Sequence, residues 1–243
     1  MNLNNKRIVI TGGTSGIGYQ LVKYLQSKNE VIVISKNAKK LEALSREFES
    51  VVTYQADLSK LEEVERIGKQ INQKFESIDV LINNAAVQFT PTFIDDAFKY
   101  SSINDEIIVN FTSICCLTYL LLPALTHHSK ATILMINTGL ALAPKTTSAI
   151  YCATKGALNN FSQSLRYQLE NSNISVQQAF LGLVETSMTT GRGKNKMSVE
   201  AASKIIIKGL ERDVLEHDVG KVKLLRLLLR TSPSIAKNMM KKY

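Results

Sequence analysis

Two hydrophobic patterns alternate along this chain. Short, continuous apolar runs such as Ile8-Val9-Ile10, Val31-Ile32-Val33-Ile34 and Val80-Leu81-Ile82 are separated by longer stretches in which apolar residues recur every third or fourth position. Continuous β-branched runs fit strands covered on both faces, and the 3.6-residue period fits helices with one buried stripe. Strands are predicted near 6–11, 30–35, 51–56, 78–83, 131–137 and 174–181. Helices are predicted near 16–28, 37–49, 59–75, 102–126, 150–170 and 198–216. Strands that alternate with helices need crossover connections, which join parallel neighbours. The expected class is therefore α/β, a doubly wound parallel sheet in a three-layer α/β/α sandwich, with residues 1–243 as one domain. Such sheets bind ligands outside the carboxyl ends of their strands, where Thr11, Asp57, Asn83 and Thr138 fall.

Composition narrows this picture. With 243 residues, 44% of them hydrophobic, and only 4 Pro, the chain has ample core and neither linker nor repeat. Residues 1–7 lead straight into the first strand without an apolar signal region, so a cytoplasmic protein is expected. The strongest apolar stretch, around 115–125, is broken by Thr118, Tyr119 and Pro123 and reads as a buried helix rather than a membrane span. Cys115, Cys116 and Cys152 all fall in predicted helices and read as reduced, buried thiols. His127, His128 and His217 have no Cys, Asp or Glu at ligand spacing, so no metal site is expected.

The formal charge of +9 raises nucleic acid, membrane or anionic partners, and its distribution decides among them. Neither a helix-turn-helix signature nor aromatic interleaving accompanies the basic runs, which argues against nucleic acid. Much of the excess lies after residue 190. In the basic helical tail, 219–243, Lys223, Arg226 and Arg230 share one face of a leucine-rich helix. Two readings stand: the leucines pack on their own domain or a second subunit, or the tail makes peripheral contact with a membrane.

Two motifs carry chemistry. The run Thr11-Gly12-Gly13-Thr14-Ser15-Gly16-Ile17-Gly18 lies between a strand and a helix, where glycines permit close backbone approach and the helix N-terminus presents free N–H groups to a phosphate. Farther along, Tyr151 and Lys155 stand one helical turn apart and project from the same face. An ammonium beside a phenol favours the phenolate and is expected to lower the tyrosine's pKa toward working pH.

With the Asp57-Leu58 pair, Asn83-Asn84-Ala85-Ala86 and Asn110, these motifs follow the order and spacing of the short-chain dehydrogenase/reductase family, which the sequence resembles from about residue 5 to 190. Within it, Gly139-Leu140-Ala141, Tyr151-Cys152-Ala153-Thr154-Lys155 and Ser164-Leu165-Arg166 look most like a bacterial branch associated with operons for D-alanylation of teichoic acids. The resemblance implies a Rossmann-like fold and an oxidoreductase that moves a hydride between a nicotinamide cofactor and a small carbonyl or alcohol substrate.

It also implies roles for particular residues. Gly12, Thr14, Ser15, Gly16, Ile17 and Gly18 would cradle the cofactor's phosphates, Asp57 and Leu58 its adenine, Asn83 and Ala85 its floor, and Val184 and Thr186 its nicotinamide. Tyr151 would be the general acid/base and Lys155 would bind the nicotinamide ribose. Asn110 would complete a relay through a water linked to Lys155. Thr138, thirteen residues before Tyr151, replaces the usual serine; it keeps the hydroxyl and adds a methyl group. Either it orients substrate, or the pocket has drifted, or it is simply structural.

Cofactor choice turns on the end of the second strand. Ser35 stands where NAD enzymes of the family carry Asp, and Lys36 where many NADP enzymes carry a base, so NADP(H) is preferred and NAD(H) remains usable. The segment 187–197, with Arg192, Lys194 and Lys196, lies where the family keeps its substrate lid, and its cations hint at an anionic substrate. A homo-oligomer, dimer or tetramer, is implied through the helices near 102–126 and 150–170. The competing reading is a cofactor-binding, weakly catalytic protein acting through a partner or at a membrane surface.

Overall fold

A computed structural model describes residues 1–242. The strands are β1 (Arg7–Thr11), β2 (Glu30–Ser35), β3 (Val51–Gln55), β4 (Val80–Asn83), β5 (Ala131–Thr138), β6 (Ile174–Leu181) and β7 (Glu216–Val219). All pair in parallel, in the order β3-β2-β1-β4-β5-β6-β7. The chain winds outward from β1 in both directions, so a crevice opens between β1 and β4 at their carboxyl ends.

Helices cover both faces. On one side α1 (Gly16–Leu25), α2 (Ala38–Glu47) and α7 (Val199–Glu211) bury Leu21, Leu41 and Ile206 against Ile8, Ile10 and Val33. On the other, α3 (Leu61–Lys74), α5 (Ser113–Leu125) and α6 (Ala149–Gln168) bury Ile67, Leu117 and Leu158 against Val9, Ile32 and Ile133. Because successive strand residues point to opposite faces, each apolar run supplies both cores at once. Each such side chain contributes about 1.5–3 kcal/mol when removed from water.

The segment before α5 departs from a plain helix. Helix α4 (Ser101–Ile107) passes through a π turn at Ile108–Thr112 into α5, making one rod from Ser101 to Leu125 that carries Pro123 in its last turn. Among the described residues it is the one helix long and apolar enough, by length and composition, to cross a membrane, and it is longer than the apolar stretch read from the sequence. Here its Leu117, Leu121 and Leu125 are spent on the core.

The C-terminal quarter corrects two expectations. The helix predicted over 198–216 ends at Glu211, and an edge strand, β7, follows. Four residues, three of them polar, give almost no strand signal; only His217 and Val219 face inward. The tail forms α8 (Val222–Thr231) and α9 (Pro233–Lys241), and Arg226 does not join a free basic face. Its guanidinium pairs with Glu216 and Asp218 of β7 at 2.7 Å each, which staples α8 to the sheet. Leu225, Ala236 and Met240 then pack with Leu140 and Tyr151, and Leu228 and Leu229 join them partly buried, while Leu224 and Leu227 stay exposed.

Candidate active site

The glycine turn begins where β1 ends. Gly12 and Gly16 hold φ of 68° and 54°, a left-handed conformation that favours glycine. Helix α1 starts with Ser15 extended at its N-cap, with no side-chain capping bond and no acidic residue in the first turn. Its first N–H groups and its positive dipole end therefore suit an anion. Gly18 acts differently: a Cβ there would lie 2.2 Å from the Gly12 carbonyl oxygen, so glycine lets the helix close onto the turn and does not itself line the cavity.

The turn is tied to the end of β4. Asn84 Nδ2 donates to the carbonyls of Thr11 and Gly12 at 3.0 and 3.2 Å. Thr11 Oγ1 accepts from the N–H groups of Asn84 and Ala85, both at 3.0 Å. Asn83, the residue expected at the cofactor floor, points away. It is buried with Nδ2 donating to Thr118 Oγ1 and reaching Met135 Sδ, both at 3.3 Å. Strand alternation explains the exchange: with Asn83 turned toward α5, its neighbour Asn84 takes the crevice side.

A cavity of about 850 Å³ runs along the strand ends, within the range of small-molecule sites. Thr14, Ser15, Gly16, Ile17, Leu58 and Ala85 are on its wall. At the β2–β3 end Thr14 Oγ1 and Ser35 Oγ are hydrogen-bonded at 3.0 Å, beside Lys36, Asn37 and Lys40. Asp57 lies there too. Burial opposes its ionisation, but hydrogen bonds from Ser59 and the charges of Lys36 and Lys60 outweigh this and hold its carboxyl below the ordinary aspartate value.

At the β5 end stand Thr138, Tyr151 and Lys155. Tyr151 is 8% exposed and Lys155 2%, and the ammonium lies 5.9 Å from the centre of the phenol ring. The expected depression of the phenol by Lys155 is not found. Lys155 Nζ donates to the Ile136 carbonyl at 2.9 Å, and burial lowers its own pKa to about 8. Burial pushes the Tyr151 phenol upward; Cys152 and Glu106 add to the shift and Arg192 opposes it. The upward shift favours the protonated phenol.

Thr138 ends β5 with its hydroxyl at the cavity but engaged by main chain, donating to the Leu181 carbonyl at 3.2 Å and accepting from Leu140 N–H at 3.3 Å. Asn110 stands behind the cavity wall, in the π turn. Its amide pairs with both main-chain groups of Val87 at 2.8 Å and reaches Thr154 Oγ1 at 3.4 Å. It clasps the loop after β4 to α6, and the π turn re-aims it to do so. Cys115 and Cys116 are half-buried rather than buried, and burial pushes the Cys115 thiol up to about 11.

Val184 and Thr186 line the cavity after β6. Thr186 and Thr189 cap one another around a short 3-10 turn, Ser187–Thr189. The segment 187–197 leaves and returns through paired main chain, Met197 N–H to Leu183 O and Glu185 N–H to Met197 O at 2.9 Å each. Sequence reasoning missed Asn84, Gln88, Lys145, Leu225 and Met240, all of which line the cavity. Periodicity could have marked Leu225 as apolar, but nothing in the sequence shows what it packs against.

Comparison with known proteins agrees with this geometry. The family profile described as short chain dehydrogenase matches residues 6–197. The "Uncharacterized oxidoreductase DltE" of Bacillus subtilis is 31% identical over 189 residues, covering 77% of this chain and 75% of that protein. A short chain dehydrogenase of Burkholderia cenocepacia, solved in complex with NADP, superposes with a TM-score of 0.88 at 20% identity over 99% of both chains. A Burkholderia phymatum short chain dehydrogenase/reductase in complex with NAD gives 0.85 at 15% identity over 95% of this chain and 94% of the other.

Proposed function

The chain belongs to the short-chain dehydrogenase family, and on that premise we propose that it is an NADP(H)-dependent carbonyl reductase or alcohol dehydrogenase with Tyr151 as general acid/base. The observation that carries this reading is a buried phenol and ammonium, Tyr151 and Lys155, on the wall of the same cavity that begins at the glycine turn. The cradle fits a dinucleotide: an uncapped helix N-terminus, a turn into which no Cβ fits at Gly18, and no carboxylate at the end of β2.

When bound, the cofactor would supply or accept a hydride at its nicotinamide. The protein's own residues handle the proton. Tyr151, held as a neutral phenol, donates to the carbonyl oxygen as negative charge develops there, and Lys155 would bind the cofactor's nicotinamide ribose. A buried ammonium with a hydrogen bond to Ile136 O is already oriented, so little reorganisation is needed. Lys36, Lys40 and Ser35 would meet a 2′-phosphate, and Asp57 the adenine edge. Exposed Tyr119 on α5 (73%) and Tyr167 on α6 (65%) support a homo-oligomer formed through these helices.

One observation favours the second reading, a cofactor-binding protein with weak catalysis: the Thr138 hydroxyl is committed to main-chain partners. The test is to follow NADPH oxidation over a panel of aldehydes, ketones and quinones, with Tyr151→Phe and Thr138→Ser beside the parent. The reductase reading expects turnover that Tyr151→Phe abolishes. Binding of NADPH with no turnover on any substrate, unrescued by Thr138→Ser, favours the second.

A further inference from the structure

The charged residues that line the catalytic end of the cavity are cations. Lys145 and Arg192 sit half-buried on its wall, and Lys194, Lys221 and Lys242 stand at its exposed rim. The nearby carboxylate of Glu106 is buried off the cavity beside Tyr151, where it accepts from the Phe89 N–H at 2.8 Å and burial raises its pKa. Among the described residues the one carboxylate lining the cavity is Asp57, beyond β3. Four strand spacings separate β3 from β5, roughly 19 Å at about 4.8 Å each, so Asp57 does not neutralise this end. Among the described residues neither Lys145 nor Arg192 forms an ion pair.

These two cations are positioned, not merely present. Arg192 donates from Nη1 to Gln88 Oε1 at 2.9 Å, and Gln88 Nε2 donates to Ser148 Oγ at 3.2 Å. Ser148 is the buried, left-handed residue that starts the helix bearing Tyr151. The guanidinium is therefore braced against the catalytic helix by neutral groups, with most of its five N–H donors uncommitted. Lys145 lies on the short loop before α6, which the tail clasps through Thr146 Oγ1 donating to the Lys241 carbonyl at 2.7 Å. Burial and the neighbouring Arg192 charge both lower the Lys145 pKa, while Cys152 opposes them. Keeping two like charges together, half-buried and unpaired, costs stability that an anion would return.

The part of the wall that the tail supplies is largely apolar. Leu225 and Met240 pack in one cluster with Tyr151 and Leu140, and Leu224 and Met239 continue that lining to the exposed edge of the cavity. We propose that the substrate is an amphiphilic oxo acid whose anionic group, a few atoms from the reacting carbonyl, is held by Lys145 and Arg192 while its apolar chain runs along Leu225 and Met240 to that edge. This rests on the reductase reading above.

The test uses the full chain with NADPH, and 3-oxodecanoate paired with its methyl ester, which removes the charge and adds one methyl group. The acid is expected to have at least a tenfold higher kcat/KM than the ester, through KM. Lys145→Ala and Arg192→Ala each bring the ratio toward one, whereas Lys237→Ala, an exposed tail lysine outside the cavity, leaves it unchanged. Titration of the NADP-loaded protein with decanoate and 1-decanol reads binding without turnover, and decanoate is expected to bind at least tenfold tighter. Equal use of acid and ester overturns the inference and leaves the reductase reading intact. Tight decanoate binding that Lys145→Ala abolishes, with neither oxo compound reduced, keeps the anion site and overturns the reduction. Loss of NADPH affinity in Arg192→Ala with the acid–ester ratio unchanged assigns Arg192 to the cofactor and overturns its role here.

Discussion

Replacing Lys36 by Ala should weaken NADPH binding about tenfold and leave NADH binding within twofold. Lys36 stands at the end of β2 with Ser35, whose hydroxyl is fixed by Thr14, and with Lys40 on the next turn. A hydrogen bond from an ammonium to a phosphate oxygen contributes about 1.5–3 kcal/mol. Lys36 is exposed, so the lower end applies, and about 1.4 kcal/mol is one decade of affinity. Salt should shrink the effect, because at 1 M the screening length falls to about 3 Å. Ser35→Asp tests the same surface from the other side. A carboxylate about 4 Å from the phosphate repels it by about 1–4 kcal/mol for each pair of unit charges, depending on solvent access. The variant should lose NADPH affinity by tenfold or more while gaining a ribose acceptor for NADH. Isothermal titration with both cofactors at two salt concentrations gives all the numbers. If Lys36→Ala leaves the NADPH dissociation constant unchanged, Lys36 is only the first member of an exposed basic run and the cofactor assignment fails.

Three further outcomes follow from the geometry. Gly18→Ala forces a Cβ to within 2.2 Å of the Gly12 carbonyl, so the turn must open; cofactor affinity should fall at least tenfold by titration while the circular dichroism spectrum stays α/β. Leu225→Ala removes buried apolar volume from the cluster around Tyr151 and should cost about 2–5 kcal/mol in urea unfolding; a cost below 1 kcal/mol would show that the tail does not pack on the site in solution. Lys155 has a folded-state pKa lowered to about 8, so between pH 8 and the ordinary lysine range the unfolded chain binds the extra proton. Ligand-free protein should therefore gain stability relative to Lys155→Met as pH rises through that window, by up to about 1.4 kcal/mol per unit. A difference that shrinks with pH would contradict the burial of Lys155.

What the sequence made legible follows from physics that is local. Continuous apolar runs such as Val31–Ile34 can be satisfied only between two helical layers, so six strands and the doubly wound order were readable, as were the glycine turn and the Tyr151–Lys155 spacing. Strand β7 was not, because an edge strand with Glu216 and Asp218 facing Arg226 carries no hydrophobic alternation. The exchange of Asn83 for Asn84 depends on which face of β4 meets the crevice, a register that two adjacent asparagines leave open. The direction of the Tyr151 pKa shift was misread because helical spacing reveals the Lys155 charge but neither the depth of burial nor the Ile136 carbonyl that engages it. The tail's place over the cavity is a long-range contact; its leucine pattern alone fits a membrane surface equally well.

The central claim is that Tyr151 protonates a carbonyl that receives a hydride from a cofactor bound in this cavity. It is tested most directly with NADPH deuterated at nicotinamide C4, incubated with the full chain and a panel of ketones and oxo acids, with products read by mass spectrometry. The account predicts deuterium on the carbinol carbon of at least one product and a loss of about 10²–10⁴ in rate for Tyr151→Phe, with cofactor affinity retained. Bound NADPH that transfers no deuterium to any carbonyl, or transfer that survives unchanged in Tyr151→Phe, would contradict it.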